Sequence, residues 1–107
     1  MSHFPDAKLR NRALFEHIIE HFGGANQTVK AAEEYAEVAA SIARAFNHMP
    51  DDEVAIKDVA AEMADAEIMR QQLCLICPKL PIHIEVAYRM KLEAIARRTN
   101  FQGKLDL

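Results

Sequence analysis

Tryptophan is absent from this 107-residue chain, and Cys (two), Gly (three), Pro (four) and aromatic residues (five Phe, two Tyr) are all scarce. With half of the residues hydrophobic and many of them Ala, that composition suits closely packed helices better than a sheet. Two cysteines are too few for a structural zinc site, which needs two further ligands at matching spacing. The pair Cys74 and Cys77 has the CxxC spacing of redox motifs, but it closes a helical segment just before Pro78 instead of opening one, so both read as small apolar side chains. No HExxH or ExxH motif occurs among the five His, which excludes a di-iron carboxylate bundle. No excess of positive charge is present: the formal net charge is −3 and the pI about 5.9, which argues against a nucleic-acid-binding surface. No apolar run approaches the roughly 20 residues of a membrane span. The opening MSHFPDAKLRNR lacks the apolar core of a signal peptide, so a reducing, cytoplasmic setting is the expectation. The length suits one domain with a core at the small end.

What the chain does have is two acidic clusters, EEYAE at Glu33 to Glu37 and EMAD at Glu62 to Asp65. Each places carboxylates three residues apart, one turn apart on the same face of a helix. At about 100° per residue, Gln27, Lys30, Glu34, Glu37 and Ser41 fall within a sector of roughly 80°. By the same turn angle, Asp58, Glu62, Asp65, Met69 and Gln72 share a sector of roughly 80° on theirs. The rest of both segments is mostly Ala, Val, Ile and Met. A narrow polar stripe on an apolar helix suggests a polar channel inside a bundle. Carboxylates are costly to desolvate without a partner, and four of them from two facing helices make a hard oxygen site suited to magnesium. Either cluster alone reads as a solvated face; the two together favour a metal site formed by Glu34, Glu37, Glu62 and Asp65.

Four helices are predicted, at about residues 6–22, 26–46, 52–76 and 82–98, with a tail at 99–107. Leu9, Ala13, Phe15, Ile18, Ile19 and Phe22 supply the apolar side of the first, which Gly23 and Gly24 end. Asn26 is the expected N-cap of the second and Asp51 that of the third, with Asp52 and Glu53 favouring the positive end of its dipole. A break near the start of the third helix is allowed for. Pro78 and Pro81 bracket the last turn, and the tail is expected to be loosely held. Met63, Ile68 and Leu75 are candidates for the core or for an interface between copies.

On the fourth helix Tyr88, Lys91, Ile95 and Arg98 recur at helical spacing. Basic residues near a helix C-terminus ordinarily complement the dipole. Beside two carboxylate clusters, Lys91 and Arg98 read as anchors for a polyphosphate. Lys30, on the stripe of Glu34 and Glu37, is placed either to reach phosphate oxygens or to balance their charge. Gln27, at the start of that stripe, is a further substrate-binding candidate.

Together these residues resemble the MazG-like superfamily of all-α nucleoside triphosphate pyrophosphohydrolases. Its signature is EExxE, a spacer of variable length, then ExxD. Here Glu33, Glu34 and Glu37 are followed after twenty-four residues by Glu62 and Asp65. A Lys followed by an Arg on the final helix is also usual, and Lys91 with Arg98 fits. Members often carry an Asn between the two, where this chain has Ile95; that departure bears on nucleobase or sugar contacts more than on metal chemistry. The resemblance implies an all-α four-helix bundle, oligomerising as a homodimer or homotetramer. It implies hydrolysis of an NTP or dNTP to the monophosphate and pyrophosphate, with magnesium required and manganese as the alternative. Carried over by position, Glu34, Glu37, Glu62 and Asp65 would hold the metal, and Glu33 would be an auxiliary ligand or orient the attacking water. Phosphoribosyl-ATP pyrophosphohydrolase and dUTP- or dCTP-preferring relatives share the pattern. From another class, a non-catalytic helical interaction module with solvated acidic stripes is the competing reading.

Overall fold

The computed structural model describes residues 10–107, so the predicted helix start at Asp6 and the apolar Leu9 lie outside the described residues. The chain is all-α: α1 spans Arg12–Phe22, α2 Gly24–Ala45, α3 Glu53–Ile76 and α4 Leu80–Arg98, with no strand among the described residues. No helix among them is long and apolar enough to cross a membrane.

The breaks follow from individual residues. Asn11 stands in the left-handed region (φ 60°, ψ 25°), which Asn tolerates, so α1 begins after it. Gly23 alone separates α1 from α2; its φ of 90° is one that a side chain would oppose, and its N–H donates to the Ile19 carbonyl at 2.7 Å. Gly24 is already helical. Asn26 is therefore not the predicted cap: it lies in the first turn of α2 and donates from Nδ2 to the Phe22 carbonyl at 2.7 Å. Asp52, not Asp51, caps α3, its Oδ1 accepting from Val54 N at 2.9 Å and Ala55 N at 3.2 Å. From there α3 runs unbroken to Ile76. Pro81 sits in the first turn of α4, where a missing N–H removes no helical bond. Asn100 (φ 54°) closes α4 in the left-handed conformation, and Phe101 N donates back to the Ala96 carbonyl at 2.8 Å.

Antiparallel pairing of α2 with α3 forms the centre of the molecule. On α2 the buried or half-buried positions are Gly24, Gln27, Ala31, Glu34, Val38, Ser41 and Ala45, an alternation of three- and four-residue steps that keeps one seam facing the partner helix. On α3 the matching seam is Val59, Glu62, Ala66, Met69, Leu73 and Ile76, with Gln72 and Cys74 buried beside it. Small side chains at Ala31, Ser41 and Ala45 let the backbones approach closely. Three contacts fix the register: Gly24 against Ile76, Glu34 against Asp65, and Arg44 against Asp58. α1 rests on both helices and buries Phe15, while Ile18 and Ile19 are half-buried and Ala13 and Phe22 are exposed. α4 meets only α3 among the helices, and none of its residues is buried. The Cα radius of gyration is 16.5 Å, against about 13 Å for a compact chain of this size.

Candidate metal centre

Glu34 from α2 and Glu62 and Asp65 from α3 each offer a carboxylate oxygen, and these oxygens all lie within 4.8 Å of one another. The sequence pattern explains the convergence. Glu34 and Glu62 occupy seam positions where an antiparallel helix pair ordinarily places apolar residues, so packing of α2 on α3 forces the acids together. Asp65, one turn after Glu62, borders the same seam from its exposed side. Only 13 % of the Glu34 side chain is exposed. Burial pushes the Glu62 carboxyl above its ordinary range, and the charges of Glu37, Asp65, Glu34 and Asp58 push it further. A proton or a cation relieves that repulsion.

The oxygens suit a hard divalent ion. Around magnesium, with ligands at about 2.1 Å in an octahedron, ligand oxygens stand roughly 3 to 4.2 Å apart.

Lys30 is the cation already at this centre. Its Nζ lies 3.0 Å from Glu34 Oε1, one turn along α2. That hydrogen bond and the Glu34 charge raise the Lys30 pKa, with smaller contributions from Glu33 and Asp65. Of the predicted metal ligands, Glu37 is exposed and stands outside the group of three, although it exerts the largest charge effect on Glu62. Glu33 is exposed, and Lys30 feels its charge. Gln27 is buried seven residues before Glu34, and the register carries it to the level of Gln72. Lys91 and Arg98, the predicted phosphate anchors, are exposed on α4. Neither Lys91 nor Arg98 is among the groups whose charges shift Glu62 or Lys30.

Three residues at the seam were not singled out as site members from the sequence. Asp58 accepts from Arg44 Nη2 at 3.2 Å and adds to the negative field on Glu62. Gln72 is 2 % exposed, donates weakly from Nε2 to Met69 Sδ at 3.7 Å, and leaves its Oε1 without a partner. The signal for Asp58 and Gln72 was their spacing of seven residues on either side of Asp65; Arg44 carried none, because its partner lies on the other helix. The cysteines differ from one another: Cys74 is buried and its thiol pKa is raised by burial, while Cys77 is exposed at the C-cap of α3. A raised pKa keeps Cys74 protonated and unreactive.

No family model, curated protein or solved structure matches the chain.

Proposed function

We propose that the chain is a magnesium-dependent nucleoside triphosphate pyrophosphohydrolase, cleaving an NTP or dNTP to the monophosphate and pyrophosphate. The observation that carries this reading is the meeting of Glu34, Glu62 and Asp65 on one partly desolvated seam between two helices. The motif resemblance, EExxE followed by ExxD, supplies the reaction class. Glu34, Glu62 and Asp65 would hold magnesium, with Glu37 reaching in beside Glu62 as a fourth ligand; manganese fits the same oxygens. When bound, the ion neutralises phosphate charge and makes a coordinated water easier to deprotonate.

The chain's own part is positional and electrostatic. The water oxygen bonds to the α-phosphorus, the bond from that phosphorus to the bridging oxygen breaks, and pyrophosphate departs. The water's proton passes to a carboxylate oxygen, for which Glu33 stands exposed at the edge of the cluster. With an ion bound, Lys30 would be free to leave Glu34 for a phosphate oxygen, so that the seam would exchange one counter-charge for another. Gln27, two turns before Glu34, is buried in the seam, so it would support the site from within and not meet the nucleotide directly. Phosphoribosyl-ATP and pyrimidine deoxynucleotides fit the same chemistry. A cytoplasmic setting would supply both nucleotide and magnesium.

The experiment is pyrophosphate release measured across a panel of nucleoside triphosphates with and without magnesium, using Asp65→Asn as the control. Turnover by the parent alone, and only with a divalent ion, is the expected result. Absence of turnover across the panel, with no magnesium-induced rise in melting temperature, would instead make the chain a helical interaction module.

A further inference from the structure

α1 carries a metal-ligand pattern that the carboxylate centre does not use. Its second half reads His17-Ile18-Ile19-Glu20-His21, two imidazoles four residues apart with an acid between them. At about 100° per residue the two His stand about 40° apart around the helix and one turn apart along it. Zinc sites use this spacing because a nitrogen of each ring can then reach one ion. In the fold both side chains are exposed and their rings stack, with centroids 6.2 Å apart and an interplanar angle of 22°. Two imidazoles that share a tetrahedral zinc, with Zn–N of about 2.0–2.1 Å, have centroids about 5 Å apart. His21 also meets Phe22 edge-to-face at 4.6 Å, which seats its ring on the last turn of the helix.

The pair is unoccupied by other partners. Among the described residues neither imidazole makes a hydrogen bond or an ion pair. Arg12 takes Glu16, donating from Nε to its Oε1 at 2.6 Å. Glu20 is exposed and in no ion pair among the described residues, and it stands about 60° round the helix from His17, where its charge favours a cation. The negative end of the helix dipole adds to that attraction, since His21 lies in the last turn before Gly23.

We propose that His17 and His21 form a zinc site on α1, separate from the carboxylate centre and independent of the proposed reaction. Imidazole suits zinc, whereas magnesium takes oxygen ligands, so the two centres divide the divalent ions by ligand chemistry. No third His, Cys, Asp or Glu joins the pair among the described residues, and water fills the remaining positions. The site therefore binds without hydrolysing, because a catalytic zinc rests on three protein ligands. Its effect is on the helix. α1 has 11 residues and no side-chain cap at Asn11, and isolated helices shorter than about 12–15 residues are marginal. An ion that bridges its last turn strengthens the helix that seats Phe15 against α2 and α3.

Calorimetric titration of the full chain with zinc chloride, in a large excess of magnesium chloride, tests the site. One zinc per chain is expected, bound at least about tenfold more weakly by His17→Ala and by His21→Ala. Asp65→Asn and His48→Ala should bind zinc as the parent does. Zinc should also raise the melting temperature of the parent and leave that of His17→Ala unchanged. Zinc binding that survives both His substitutions, that disappears with Asp65→Asn, or that does not occur in the parent overturns the inference.

Discussion

Lys30 Nζ lies 3.0 Å from Glu34 Oε1, so a half-buried carboxylate of the cluster is held by a lysine one turn away on its own helix. The ammonium is largely in water, so the pair contributes little to stability. Its consequence is competitive: a divalent ion must displace Lys30 from Glu34. Lys30→Ala should tighten magnesium binding in the absence of nucleotide by no more than about fivefold, while raising the KM for nucleotide. Calorimetric titration and initial rates read the two effects separately; weaker metal binding by the variant would show that Lys30 assists the ion.

Glu62 gives the cluster a pH signature. Its folded pKa is raised above the ordinary 4.5, first by burial and then by its acidic neighbours. Without metal, the stability tied to protonated Glu62 is fully present below pH 4.5 and is lost as pH rises through the raised folded value. Glu62→Gln should flatten that fall in melting temperature between mildly acidic and neutral pH. An unchanged pH profile in the variant would place the titration elsewhere.

Gln72 is expected to cost the fold stability. Its Oε1 is buried without a partner, a condition worth about 1–3 kcal/mol. Gln72→Leu, similar in volume, should raise the unfolding free energy by about 1 kcal/mol in urea titrations. A loss of stability would mean that the amide is satisfied in the assembled protein.

Helix starts and stops were legible in the sequence where one residue decides them, and misread where neighbours compete. Gly23 and Gly24 both read as terminators, yet only Gly23 takes the left-handed backbone, and this shifts the cap away from Asn26. Asp51 and Asp52 are equivalent by residue type; only the geometry selects Asp52. The spacing of three put Glu62 and Asp65 on one face of α3, and packing of α2 on α3 brings Glu34 to them. Glu37 fell outside because the seam follows four-three steps through Glu34 and Val38 and leaves Glu37 on the rim. The direction of α4 was not legible: an apolar, basic helix after Pro78 and Pro81 is compatible with folding back on its own chain or reaching for another.

The Asp52 cap gives an independent check on the fold. Removing its two accepted hydrogen bonds by Asp52→Ala should cost about 1 kcal/mol of stability with helical content nearly unchanged. A negligible loss would move the start of α3 away from Glu53.

Binding of an α,β-methylene nucleoside triphosphate, which cannot be cleaved at the proposed bond, tests the account most directly. Calorimetric titrations with and without magnesium compare the parent with Glu34→Gln, Glu62→Gln and Asp65→Asn. The account predicts that the parent binds the analogue only with magnesium and that each substitution weakens binding by at least about tenfold, the loss of one charged ligand. Binding that is indifferent to magnesium, or equal in all four proteins, would contradict it.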